Sequence, residues 1–123
     1  MKKILIIEDE PLLLGALAKK LSGENFKVFE AQDGEAGLAT ALGEHPDLIL
    51  LDIILPLMDG MTLLKKLRED DWGKTAGVIL LTNLSDGEKI KESMERDAYD
   101  YLVKSDWKLE DIVKKVKEKL EVT

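Results

Sequence analysis

Residues 46–60 read Pro46-Asp47-Leu48-Ile49-Leu50-Leu51-Asp52-Ile53-Ile54-Leu55-Pro56-Leu57-Met58-Asp59-Gly60. Leu48–Leu51 is apolar at every position, with no alternation. A strand buried on both faces has this pattern, and such strands belong to parallel sheets covered by helices on both sides. The run ends at Asp52, an odd place for a carboxylate without a partner. A Pro and a Gly, at 56 and 60, then punctuate the chain before the next helical pattern.

Two more runs share the pattern, Ile4–Ile7 and Val78–Leu81. Working outward from them, five β-rich segments stand out: Lys3–Ile7, Phe26–Glu30, Asp47–Leu51, Val78–Thr82 and Tyr99–Val103. Helical spacing fills the intervals, at about Pro11–Leu21, Glu35–Leu42, Met61–Glu69, Ser85–Arg96 and Leu109–Leu120. In the last of these, Leu109, Ile112, Val113, Val116 and Leu120 fall on one face. Pro11 suits a first helical position, Asp33-Gly34 marks a turn, and Ser85 or Asp86 can cap. Five β-α units predict a doubly wound α/β domain with helices on both faces of a parallel sheet.

Composition sets the limits. The chain has 123 residues, 45% of them hydrophobic, which excludes global disorder. Area scaling gives about 6,600 Å² exposed when folded against about 20,000 Å² unfolded, enough burial for one core. One domain, residues 1–123, is therefore expected, with no second one. With no Cys, thiolate metal sites, disulfides and a Cys nucleophile are excluded. A net charge of −7 argues against binding nucleic acid or anionic membrane without a basic surface. The basic start Met1-Lys2-Lys3 is followed by only four apolar residues before Glu8, too few for a signal peptide, and no stretch approaches the ~20 of a membrane span. A soluble cytoplasmic protein is expected.

Ligands of open α/β sheets bind outside the carboxyl ends of the strands. Glu8 and Asp9 follow the first strand; Asp52, Thr82 and Lys104 stand at the ends of the third, fourth and fifth. Three carboxylates, a hydroxyl and an ammonium should therefore meet at one edge. Crowded carboxylates repel, and a hard divalent cation relieves them; oxygen-only donors suit Mg²⁺. A carboxylate left with a free oxygen can act as a nucleophile toward phosphorus, while Lys104 and Thr82 hold phosphoryl oxygens. Each residue also has a plain reading: helix N-terminal charges for Glu8 and Asp9, a strand-end cap for Asp52, a strand residue for Thr82, a surface lysine for Lys104.

The stretches Ile4–Glu10, Pro46–Gly60, Leu80–Thr82 and Asp100–Lys104 together resemble the receiver domain of two-component response regulators, of the chemotaxis type that stands alone. Asp52 lies 43 positions after Asp9, Thr82 lies 30 after Asp52, and Lys104 lies 22 after Thr82, spacings that match the family. The resemblance implies a flavodoxin-like (βα)5 domain with strand order 2-1-3-4-5. It implies that Asp52 is the phosphoacceptor, loaded by a sensor histidine kinase or a histidine phosphotransfer protein. Glu8, Asp9, Asp52 and the backbone carbonyl of Ile54 would hold Mg²⁺. Lys104 and Thr82 would contact the phosphoryl group, and Tyr101 would be the aromatic switch that follows Thr82. Phosphorylation would then change the face built from 85–96, 99–103 and 109–120 toward a protein partner, or toward a second copy of the chain. The chain would be a switch that catalyses only its own phosphotransfer and dephosphorylation.

Some positions depart from the family. Ser105 stands where Pro usually follows the lysine, so a trans bond is expected at Lys104–Ser105. Trp107 would replace the usual aromatic one residue late, and Ser105 or Asp106 would cap the last helix. Ile54 and Leu84 would shield an acyl phosphate from water and slow its hydrolysis. Gly60 is read as a turn residue at positive φ. His45 is read as a loop residue, Trp72 as a loop anchor, and Lys114, Lys115, Lys117 and Lys119 as a solvated face. Across a dimer, those lysines would pair with Asp97 or Asp100. Two other readings stand beside the leading one: a degenerate receiver acting unphosphorylated, and a Mg²⁺-dependent phosphatase with an Asp nucleophile. The second lacks the usual acid two residues on, where Ile54 stands.

Overall fold

The apolar runs become the middle of a parallel sheet. A computed structural model describes residues 1–82, 100–103 and 108–120. Its strands are β1 (Lys3–Ile7), β2 (Lys27–Ala31), β3 (Leu48–Asp52), β4 (Val78–Thr82) and β5 (Asp100–Val103). Every neighbouring pair is parallel, and the order is β2-β1-β3-β4-β5. The helices are α1 (Pro11–Ser22), α2 (Gly34–Glu44), α3 (Gly60–Glu69) and α4 (Leu109–Leu120), with a 3-10 turn at Gly73–Thr75. The doubly wound α/β expectation is met. The expected helix at 85–96 and the capping residues Ser85, Asp86, Ser105 and Asp106 lie outside the described residues.

Unbroken apolar runs are needed because successive side chains face opposite layers. Leu5, Ile7, Ile49, Leu51, Val78 and Leu80 point to the layer of α2 and α3, where they meet Ala41, Leu64 and Leu67. Ile4, Ile6, Leu48, Leu50, Ile79 and Leu81 point the other way, onto Leu14, Leu17 and Leu21 of α1 and Ile112, Val113 and Val116 of α4. Two ion pairs bridge α1 and its C-terminal turn to α4, Lys20–Glu110 at 3.8 Å and Lys117–Glu24. So Lys117 pairs within its own chain, with Glu24. Burial of Val113 and Val116 draws the face of α4 toward α1, and Lys117 comes with them.

Helix starts follow their caps. Asp33 Oδ1 accepts from the Ala36 N–H at 2.7 Å, and Asp59 Oδ1 accepts from the Thr62 N–H at 2.8 Å. Each cap therefore draws the glycine after it into the helix, so α2 and α3 begin one residue earlier than the pattern suggests. β2 and β3 both lie one residue later than expected. Asp47 is outside β3 because its carboxylate accepts the Lys3 N–H at 2.7 Å, and Phe26 is a buried anchor before β2. His45 ends α2 with φ 48° and stacks on Trp72 at 4.4 Å, before the start of β3 rather than at its carboxyl end. Half-buried Trp72 packs against the core, as a loop anchor should.

Candidate functional site

Register delivers the acidic residues to one place. Ile7 pairs with Leu51, so Glu8 and Asp52 leave the sheet at the same level. The Glu8 N–H still donates to the Ala31 carbonyl at 3.0 Å, which holds Glu8 in line with β1. Glu8 is fully buried and Asp52 is 5% exposed, the two buried charged residues among those described. Asp9, one residue on, is exposed. One carboxylate oxygen from each of Glu8, Asp9 and Asp52 lies within 4.8 Å of the others.

Two backbone amides orient the buried pair. Glu8 Oε2 accepts from the Glu10 N–H at 3.1 Å, and Asp52 Oδ1 accepts from the Ile54 N–H at 3.3 Å. The donor set is all oxygen, carries three negative charges when ionised and has room on the exposed Asp9 side. That chemistry fits a hard divalent cation such as Mg²⁺ and does not fit a thiophilic or imidazole-seeking metal.

The loop after Asp52 is tightly built. Ile53 is buried, and its N–H donates to the Leu81 carbonyl at 3.3 Å. The Ile53 carbonyl accepts the Gly60 N–H at 2.7 Å, closing the loop onto α3. Gly60 is there for proximity. No glycine among the described residues has positive φ, which corrects the dihedral reading of Gly60. A Cβ at Gly60 would lie 2.2 Å from the carbonyl oxygen of Asp52, so the helix start and the strand end touch only because the side chain is missing. The residue that does take positive φ is Leu57, at 68°, with 74% of its surface exposed. Such a conformation costs a bulky residue about 1–2 kcal/mol and persists only where surroundings enforce it.

A family model described as "Response regulator receiver domain" matches residues 4–117. The chain belongs to the response regulator receiver domain family. The response regulator PleD of Caulobacter vibrioides is 38% identical over 103 residues, covering 83% of this chain and 22% of its own length. The DNA-binding dual master transcriptional regulator RpaA of Synechocystis is 36% identical over 104 residues, 85% of this chain and 43% of its own length. The chain thus spans less than half the length of these relatives. Among solved structures, a CheY-like response regulator receiver domain protein from Methanospirillum hungatei superposes with a TM-score of 0.91 at 31% identity, over 98% of this chain and 94% of that one.

Within this receiver the other expected residues are placed by backbone alone or not at all. Asp52 pairs with Leu81, so Thr82 stands one step beyond it on β4. Thr82 in turn pairs with Val103. Tyr101 pairs with Leu80 on β5, two residues before that level. Lys104 follows Val103 in sequence and lies outside the described residues, as do Leu84, Trp107 and the Lys104–Ser105 bond. Ile54, expected as a shield, is 60% exposed. The contacts of Gly34 escape a reading of the sequence, where Asp33-Gly34 signals only a turn. No helix among the described residues is long and apolar enough to cross a membrane.

Proposed function

We propose that this receiver accepts a phosphoryl group on Asp52 from the phosphohistidine of a sensor histidine kinase or histidine phosphotransfer protein, with Mg²⁺ as the required cation. One observation carries the reading: in a chain of this family, Glu8, Asp9 and Asp52 bring carboxylate oxygens within 4.8 Å of one another at the carboxyl edge of the sheet. Glu8, Asp9, Asp52 and the Ile54 carbonyl are the proposed ligands. When bound, the cation neutralises the carboxylates and the phosphoryl oxygens, so that an anionic nucleophile can approach an anionic group.

The chain's own residues do the rest. An Asp52 carboxylate oxygen attacks phosphorus, the P–N bond breaks, and its electron pair leaves with the imidazole nitrogen. The Ile54 amide, already directed at Asp52 Oδ1, holds the carboxylate in orientation for attack. Glu8, buried and held by the Glu10 amide, keeps its carboxyl group fixed beside it. Lys104 and Thr82 are assigned to the phosphoryl oxygens, and Tyr101 to the switch that reads Thr82. Phosphorylation adds about 1.5–2 negative charges, and moving a two-state switch from 1:99 to 99:1 needs roughly 5.5 kcal/mol. Charge-assisted bonds to Lys104 and Thr82 are of the kind that supply it. The face assigned to the output comprises 85–96, β5 and α4, offered to a downstream protein or a second copy. The role is that of a switch in the cytoplasm rather than of a metabolic enzyme.

The test is intact mass after incubation with a small acyl-phosphate donor, with and without Mg²⁺. One added phosphoryl group that requires Mg²⁺ is expected. Absence of any adduct, together with no binding of beryllofluoride and Mg²⁺, would overturn the reading.

A further inference from the structure

The loop that carries Ile54 does not hold itself. Its turn is closed by the Met58 N–H, which donates to the Pro56 carbonyl at 2.8 Å across Leu57. A three-residue turn with positive φ at its centre is strained and rare. The same Pro56 carbonyl accepts a second hydrogen bond, from the Gly34 N–H at 3.2 Å. Gly34 is the first residue of α2, on the opposite side of β1 from this loop in sheet order. It is buried, and a Cβ on it would lie 1.8 Å from the Met58 carbonyl oxygen and 2.7 Å from the Met58 carbonyl carbon. Asp33 caps the helix start and so fixes where Gly34 sits.

We infer that Gly34 is a positioning residue for the acidic site. Its amide engages the Pro56 carbonyl, and its bare Cα admits the Met58 backbone. Together they enforce the turn at Leu57 and set where residues 53–56 lie against Asp52. The inference rests on the reading of Asp52 and the Ile54 carbonyl as cation ligands. It adds the device that holds them in place, from a helix that contributes no ligand. Misplacing a reacting or ligating group by about 1 Å has large effects. A side chain at position 34 forces a separation of that order, because the nearest atoms it meets are the Met58 carbonyl oxygen and carbon, which cannot swing aside as a side-chain tip can.

The experiment uses the full chain, with Gly34→Ala and, as a control, Gly73→Ala. A Cβ at Gly73 meets the Leu67 carbonyl oxygen at 2.0 Å, a comparable overlap in the turn before β4, at the other edge of the sheet. Mg²⁺ is titrated into metal-free protein while the amide resonances of Glu10 and Ile54 are followed, since those amides donate to Glu8 and Asp52. Loss of an outer support to a metal site lowers affinity roughly 10–100-fold, and Gly34→Ala should fall in that range while Gly73→Ala stays within about two-fold of the parent. In metal-free protein, Gly34→Ala should already shift the Ile54 and Met58 amides, and Gly73→Ala should not. A Gly34→Ala affinity within about two-fold of the parent overturns the inference. If Gly34→Ala does not fold, hydrogen exchange of the Gly34 amide in the parent decides: saturating Mg²⁺ should slow it by about five-fold or more, and an unchanged rate overturns the inference. A parent chain that binds no Mg²⁺ removes the functional reading itself and this inference with it. Normal parent binding with an unaffected Gly34→Ala removes this inference alone.

Discussion

Replacing Asp52 with asparagine should make the metal-free chain more stable. The substitution keeps shape, and an asparagine Oδ1 can still accept the Ile54 N–H now held at 3.3 Å by Asp52. What it removes is charge. Asp52 has two acidic neighbours with oxygens within 4.8 Å. At that separation one pair of unit charges repels by about 0.9 kcal/mol at the dielectric of water and about 3.5 kcal/mol at an effective value of 20. Two pairs give roughly 2–7 kcal/mol. Exposed Asp9 pulls the sum toward the lower figure, and buried Glu8 pulls it upward. A gain of up to about 2 kcal/mol is expected, because the Lys104 ammonium assigned to the same edge offsets part of the repulsion; it raises the midpoint of a domain this size by up to about 6–10 °C. Differential scanning calorimetry at neutral pH, low salt and with a chelator measures it. Adding Mg²⁺ should stabilise the parent more than Asp52→Asn, because only the parent keeps all three carboxylates. An Asp52→Asn chain that is less stable than the parent without metal would refute the argument that these carboxylates repel one another.

Three further outcomes follow from the geometry. Gly60→Ala should destabilise by about 2–3 kcal/mol through overlap with the Asp52 carbonyl, and Gly60→Asn should be no better; tolerance of Asn in urea titration would mean that positive φ mattered after all. Leu57→Gly should stabilise by about 0.5–1 kcal/mol by relieving the strained φ, and a loss of stability in the same assay would contradict that. The Lys117 ammonium beside Glu24 holds its carboxyl below the ordinary value of 4.5. A lowered folded-state pKa adds stability that is present above that ordinary value and is lost as pH falls through the folded one. The melting-temperature advantage of the parent over Glu24→Gln should therefore exist near neutral pH, vanish in acid and shrink with salt; an advantage that grows on acidification would be inconsistent with the pair.

What could be read from the chain alone was whatever shows in side-chain type. The unbroken runs Ile4–Ile7, Leu48–Leu51 and Val78–Leu81 announced strands buried on both faces, and Glu8, Asp9 and Asp52 announced a charge cluster because they end such runs. What escaped depends on backbone meeting backbone. Nothing in Asp33-Gly34 tells that the carbonyls of residues 56 and 58 arrive there from another loop. The letter Gly at position 60 suggests dihedral freedom, whereas the Asp52 carbonyl at its Cα is the reason for it. The pattern of α4 places Lys117 on a solvated face and cannot show that Glu24 lies across from it.

The measurement that bears most directly on the account is the location of the phosphoryl group. Borohydride reduces an aspartyl phosphate to homoserine, which survives proteolysis and is read by tandem mass spectrometry. After phosphorylation with Mg²⁺, the account predicts homoserine at position 52 alone, and none in Asp52→Asn. Homoserine at Asp9 or another acid with Asp52 intact would contradict it.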